Sequence, residues 1–318
     1  MSQKILISIP AKNEAQTITE VINSCRQQVL NHTGITADVL VVSDGSTDDT
    51  VELAKSARAD VIVHHRSQGL GYVFSEAIEY AVRHDHDIMI TIDGDNQFDT
   101  EDIPAMLNPI LENEADFVTG SRFLSNSKLV GIPEVKKIGN RMMSKLISSI
   151  LKEKFYDVSC GFRVYNKEAI LNLNVFHNFT YTQEVFLNLG VKKIRIKEIP
   201  ISVQYFKERK SRIASNLFRY GWQTLKIITR SVVHYKPMRL FGTFSLITFL
   251  ISFPIVVTLG IRYIRTDLIT PYKGIAISAI VVLVVSMASL VSGIILEIIS
   301  RIQLSIEKAI YYLRRNRS

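Results

Sequence analysis

Two carboxylates separated by a single glycine close a short apolar run in MITIDGDNQFDTED, residues 89–102. The run from Met89 to Ile92 reads as a buried strand, and Asp93, Gly94 and Asp95 stand where it stops. Side chains two apart on a regular strand share a face, but a glycine between them lets the backbone bend as it leaves the sheet. The two acids can then take different tasks around one ligand, which in an open α/β sheet sits at the carboxyl ends of the strands. Asp-Gly-Asp-Asn is also good turn chemistry, so the surrounding elements must decide between a site and a plain turn.

Those elements alternate. KILISIP, ADVLVVSDGS, ADVIVHHR, DIMITIDGD and ADFVTGSRF read as strands, and helical patterns such as EAQTITEVINSCRQQ and YVFSEAIEYAVRH lie between them. This is an α/β pattern with a largely parallel sheet. Polar residues gather just past each strand, in IPAKNEA, VSDGSTDD, HRSQGLG, DGDNQ and GSRF, which is the layout of a nucleotide crevice. No G-x-G-x-x-G follows the first strand and no G-x-x-x-x-G-K-[ST] occurs, so neither dehydrogenase nor P-loop ATPase chemistry is supported. Cys25 and Cys160 are the only cysteines and read as packing residues; the seven histidines show no ligand spacing.

The chain has 318 residues, 47% of them hydrophobic, and the apolar excess lies at its end. Residues 240–261 and 274–296 carry no charge, and each run is long enough to cross a hydrocarbon core of about 30 Å as a helix. Between residues 192 and 239 stand 13 Lys or Arg against 2 Glu, a net +11 in a chain of net +8. The basic excess is therefore juxtamembrane. By the positive-inside rule both termini face the cytoplasm, the short loop between the spans faces out, and no signal peptide is expected at the amino terminus. Such a belt suits membrane lipid with anionic head groups rather than nucleic acid. Organisation is expected as a cytoplasmic domain over 1–212, a basic amphipathic segment over 213–239, two spans over 240–299 and a basic tail over 300–318. Self-association through the spans is part of the same expectation.

Taken together and in order, IPAKNEA, VVSDGSTDDT, TIDGDNQFD, TGSRF, DVSCGFRVY and YTQEVF resemble family 2 of the glycosyltransferases, and more narrowly its dolichol-phosphate mannosyltransferase and polyprenyl-phosphate branch. The resemblance covers residues 5–212. It implies a nucleotide-diphosphosugar (GT-A type) fold and inverting transfer of a sugar from a UDP- or GDP-sugar to a polyprenyl phosphate. Two departures stand out: the usual pair of acids in the second loop is Ser43-Asp44, and the usual R-x-x-G-x-S-K loop is FKERKSRI, with Arg209 where glycine is expected.

The resemblance also assigns roles. Pro10, Ala11, Asn13, Glu14, Asp44, Asp93, Gly94, Asp95 and Gln97 are expected to bind the donor; Asn13 and Glu14 could instead cap the helix after the first strand. Asp95 and Gln97, with Asp93 as ligand or ribose contact, offer hard oxygens to Mg²⁺ or Mn²⁺, the divalent ion that steadies the leaving diphosphate. A phosphate monoester is largely a dianion at neutral pH and needs no strong general base, only cations to hold it beside another anion. Arg122, with Asp95 the expected catalytic pair, leads that acceptor-phosphate set, which adds Arg141, Arg163, Ser211 and Arg212. A lipid-hydroxyl acceptor would need a base, Glu184 or Asp157. A non-catalytic scaffold is the third reading. Residues 134–152 form an amphipathic helix that could lie on the membrane or pack on the sheet.

Overall fold

The computed structural model describes residues 3–125, 127, 129–130, 132, 134–174, 181–204, 233 and 237–316. FKERKSRI, with Ser211 and Arg212, and most of the basic 213–239 segment lie outside the described residues. Two compact units emerge: Met1–Thr224 together with Glu307–Ser318, and Leu225–Ile306.

The first unit is built on a seven-stranded sheet. Its strands in chain order are β1 (Ile5–Ala11), β2 (Asp38–Asp44), β3 (Asp60–His64), β4 (Ile88–Thr91), β5 (Phe117–Ser121), β7 (Arg163–Asn166) and β8 (Ile196–Pro200). A separate two-stranded ribbon pairs β6 (Leu129–Val130) with β9 (Val203–Gln204). The sheet order is β3-β2-β1-β4-β7-β5-β8. All pairings are parallel except those of β7, which runs antiparallel to both β4 and β5. The five strands read from the sequence are all present. β7 interrupts them because its segment follows a long excursion and returns into the middle of the sheet, a long-range pairing that no local pattern announces.

Helices α1 (Ile18–Thr33), α2 (Thr50–Ser56), α3 (Leu70–Arg83) and α4 (Ile103–Leu111) follow the first four strands. On α1, Ile18, Val21, Ile22, Cys25 and Val29 recur at helical spacing and are buried with β1, β2 and α4 in the main core. The helix ends at Gly34, whose φ of 70° is the left-handed conformation that glycine adopts without strain; its N–H caps the Leu30 carbonyl. Later come α5 (Glu134–Leu151), α6 (Lys167–Asn172) and α7 (Thr182–Val191). α5 packs against α7, with one side covered and the other open. Asn140, Met143, Ser144, Ile147 and Ile150 are buried, whereas Ile138 and Met142 are 58% and 59% exposed.

The second unit is a hairpin of α8 (Pro237–Thr266) and α9 (Lys273–Arg315), with mean hydropathy 2.3 and 2.7 in their most apolar windows. Both helices are long and apolar enough to cross a membrane. Small residues line their contact. Ser245 Oγ donates to the Ser286 carbonyl and Ser286 Oγ to the Ser245 carbonyl, both at 2.8 Å, and Ser289 Oγ donates to the Phe241 carbonyl at 3.1 Å. At 43 residues α9 is about 65 Å long, twice a hydrocarbon core, and from Glu307 it belongs to the first unit.

Candidate active site

Parallel strands deliver their carboxyl ends to one edge of the sheet, and there the polar loops meet. Asp93, Gly94 and Asp95 leave β4 together. The chain turns at Gly94 and Asp95 as it leaves the strand, and the left-handed residue that follows is Asn96, at φ 57°. Gly94 also serves close approach, since a Cβ there would lie 3.3 Å from Ile9 Cγ2 and 3.4 Å from the Pro10 carbonyl. Its own carbonyl accepts from Thr17 Oγ1 at 2.7 Å. Asp95 Oδ1 accepts the Gln97 N–H at 3.2 Å, closing the turn, and the Gln97 carbonyl accepts the Gln204 N–H at 3.0 Å.

Negative charge accumulates around Asp93. Burial, then the carboxylates of Asp95 and Glu14, push its carboxyl up to about 7, against the opposing pull of Arg122 and Arg163. Gly161 stands directly behind it, so close that a Cβ would sit 3.0 Å and 3.1 Å from the two carboxylate oxygens. Among the described residues no three His, Cys, Asp or Glu side chains gather in metal-ligand geometry. The donors offered are a pair of carboxylates with Gln97 beside them. That set fits a hard cation which takes one or two carboxylates and completes its shell with phosphate oxygens and water.

The neighbouring wall comes from β1 and β2. Pro10 and Ala11 end β1 beside Val42 and Ser43. Asn13, at φ 58°, does not cap α1, whose N-cap is Thr17; its Oδ1 accepts the Thr47 N–H at 2.8 Å and its N–H donates to Ser46 Oγ at 3.2 Å. Glu14 likewise precedes the cap, with its N–H on Thr50 Oγ1 at 2.9 Å. Ser43, where a second acid is usual, is buried and donates to Ser46 Oγ at 2.9 Å. Asp44 holds the next loop: its carboxylate accepts Ser67 Oγ at 2.5 Å, the Gln68 N–H at 2.6 Å and the Gly69 N–H at 3.2 Å. Gly45, at φ 73°, lies so close that a Cβ would be 2.9 Å from Ser67 N. The Ser67-Gln68-Gly69 contribution was not singled out from the sequence, although SQGLG after a strand was its visible trace.

On the other flank Arg122 forks onto Asp157, with Nε at 2.6 Å from Oδ2 and Nη2 at 2.9 Å from Oδ1; its backbone N–H adds a third bond at 3.1 Å. Asp157 is fully buried, and Glu198 in turn accepts the Asp157 N–H at 2.7 Å. A carboxylate so enclosed and paired is not placed to act as base, which removes Asp157 from that role. Glu184 sits half-buried in the first turn of α7. Arg141 is exposed on α5.

Arg163 requires a correction. It is 0% exposed, so it neither meets solvent nor presents itself to an acceptor phosphate. Its Nε donates to the Cys160 carbonyl at 2.8 Å, its Nη2 to the Thr182 carbonyl at 2.8 Å, and the guanidinium lies 5.3–5.6 Å from the ring centres of Phe117, Tyr181 and Phe186. The aromatic enclosure comes from residues far apart in sequence, and this is why a charged residue followed by Val-Tyr reads as a surface cation.

Comparison with known proteins agrees with this fold and these motifs. Glycosyltransferase AglJ of Haloferax volcanii is 30% identical over 197 residues, and the match spans 62% of this chain and 61% of that protein. The undecaprenyl-phosphate mannosyltransferase of Micrococcus luteus is 27% identical over 208 residues, covering 63% of this chain and 83% of the relative. The UDP-N-acetylglucosamine–dolichyl-phosphate N-acetylglucosaminyltransferase of Methanococcus voltae is 25% identical over 226 residues, covering 64% and 88%. Among solved structures, glucosyl-3-phosphoglycerate synthase of Mycobacterium tuberculosis with Mn²⁺ and UDP-glucose superposes with a TM-score of 0.56 at 20% identity over 71% of this chain and 79% of that one, a likeness of fold. Residues 6–173, more than half of the chain, match the description Glycosyl transferase family 2; with the sheet order and the strand-end acids in place, the chain belongs to that family.

Proposed function

We propose that this protein is a membrane-anchored, metal-dependent, inverting glycosyltransferase that moves a sugar from a nucleotide-diphosphate sugar to a polyprenyl phosphate at the cytoplasmic leaflet. The observation that carries the reading is the approach of Asp95 after β4 and Glu14 after β1 to the Asp93 carboxyl, with Arg122 close enough to oppose their effect on it. The activities of the Micrococcus and Methanococcus relatives support a polyprenyl-phosphate acceptor. A UDP-sugar is supported by the Methanococcus name, and a GDP-sugar stays equally part of the panel to test.

Asp95 and Asp93, with Gln97, would hold Mg²⁺ or Mn²⁺, which when bound neutralises the diphosphate as it leaves. Pro10, Ala11 and Asn13 border the nucleoside side, and Asp44 fixes the 67–69 loop that closes it. Arg122, held rigid by Asp157, brings a fixed positive charge to the site where two anionic substrates must approach. The acceptor dianion attacks the anomeric carbon from the face opposite the nucleotide, so the configuration inverts and no side-chain base is required. Arg141, Ser211 and Arg212 remain proposed acceptor contacts. That Glu307–Ser318 folds with the amino-terminal domain supports placing both termini on one side of the membrane, and the basic belt supports the cytoplasm. Self-association through α8 and α9 belongs to the proposal, and a monomer on cross-linking in native membranes would remove it.

The test is transfer of labelled sugar from UDP- and GDP-sugars to polyprenyl phosphate by purified protein, with and without EDTA, beside Asp95→Asn and Arg122→Lys. Metal-dependent product that falls at least about 100-fold in both variants is expected. Metal-dependent nucleotide binding without transfer would point to a lipid hydroxyl acceptor, and no binding at all to a scaffold.

A further inference from the structure

Helix α7 is held at both ends. At its start the Thr182 carbonyl accepts Arg163 Nη2 at 2.8 Å and Gln183 Nε2 donates to Ser159 Oγ at 3.2 Å, which joins it to the loop that backs Asp93. Tyr181, just before it, stacks on Phe74 with ring centres 4.0 Å apart. At its far end the chain meets a residue more than a hundred positions away. Glu307, 2% exposed, accepts from Lys192 Nζ at 2.7 Å and from Asn188 Nδ2 at 3.2 Å. Lys192 Nζ also donates to the Asn172 carbonyl at 2.5 Å and to Asn188 Oδ1 at 3.1 Å. Burial pulls the Lys192 ammonium down from its ordinary value, and Glu307 opposes that pull.

Two more contacts continue along the same face of α9, at the spacing of successive helical turns. Tyr311 donates its hydroxyl to Glu168 at 3.0 Å, and Arg314 Nη1 donates to the Leu173 carbonyl at 2.6 Å. A buried carboxylate and ammonium are costly to desolvate, and a solvated basic tail would need neither. Glu307, Lys192, Tyr311 and Arg314 are not among the groups that act most strongly on the Asp93 carboxyl, so donor binding does not account for their pairing.

We infer that the last turns of α9, from Glu307 to Arg315, form a latch that fixes α7 and, through Thr182 and Gln183, the 157–162 loop against Asp93, with Glu307 as its positioning residue. Its consequence for transfer rests on the function proposed above; the latch itself rests on this geometry alone.

Hydrogen exchange on the full-length protein in lipid nanodiscs tests it. In the wild type, 182–191 and 307–315 open as one unit with a common rate; unrelated rates overturn the inference. Glu307→Gln and Lys192→Met each speed exchange of 182–191 and of 157–162 at least tenfold. The double replacement of both by Met, which leaves no unpaired buried charge, returns them to within threefold of wild type, while Tyr311→Phe, on the latch's edge, changes them less than twofold. In the transfer assay the single variants lose at least fivefold in kcat with donor KM within twofold, and the double variant recovers. Faster exchange confined to 307–315, or no recovery in the double variant, overturns the latch. If the wild type moves no sugar from any donor, the functional reading falls, and the exchange data still decide the latch.

Discussion

At the scale of single residues, contact distances set the expectations. Gly161→Ala places a methyl group 3.0 Å from the Asp93 carboxylate, so that group or the loop must shift. Transfer is expected to drop about 10–100-fold with little change in melting temperature, because misplacement near reacting atoms costs rate more than stability; an unchanged rate would show that Asp93 tolerates the shift. The Arg122–Asp157 pair behaves differently. Asp157→Asn leaves a guanidinium that is only 11% exposed without its counter-charge, and a loss of about 3–5 kcal/mol is expected in thermal unfolding. Both thiols are pushed up to about 12 by burial, so at pH 7–8 they stay protonated. Mass spectrometry after maleimide treatment should find Cys25 and Cys160 unmodified in the native protein and modified after unfolding. The two cysteines were legible as packing residues from their small number and the lack of metal-ligand spacing, and both are buried and free. Arg163 was not legible, since its burial is made by Phe117, Tyr181 and Phe186.

Among elements, the alternation of apolar runs and amphipathic helices made β1 to β5 readable, because each carries its signal locally; β1, β2, β4 and β5 bury most or all of their residues, whereas β3 is only partly covered. β7 is short, and its place between β4 and β5 depends on a return of the chain from a distant excursion. The α5 pattern was legible as amphipathic but not as divided, since hydrophobic spacing cannot say how wide a face the neighbours cover. In the hairpin of α8 and α9 the reciprocal Ser245–Ser286 bonds tie each serine hydroxyl to the other helix's backbone carbonyl. Replacing both serines by alanine is expected to lower unfolding stability in mixed SDS micelles by about 1–2 kcal/mol; replacing Ser292, which bonds only within its own helix to the Ala288 carbonyl, should leave it unchanged.

For the whole molecule, charge and hydropathy lead to a topology that labelling can test. A cysteine at Asp267, between the spans, should react with a membrane-impermeant maleimide from outside, and one at Asn316 only after permeabilisation. The two native thiols give no background because they are buried. Equal labelling of both sites in intact cells would end the two-span hairpin reading. The assignment of Glu307–Ser318 to the amino-terminal unit was invisible in sequence, where 300–318 reads as a basic tail.

Local composition and order determined the fold class, the strand-end acids, the family and the two apolar spans, because each of these leaves its mark within a few residues of chain. Tertiary structure alone decided that Arg163 is a buried anchor, that Asp44 spends its carboxylate on the 67–69 loop, that Asp157 belongs to Arg122 and that Glu307 closes on Lys192. In every such case the deciding partners include ones about twenty or more residues away, and only folding brings a charge together with the rings, backbone groups or counter-charge that allow its burial.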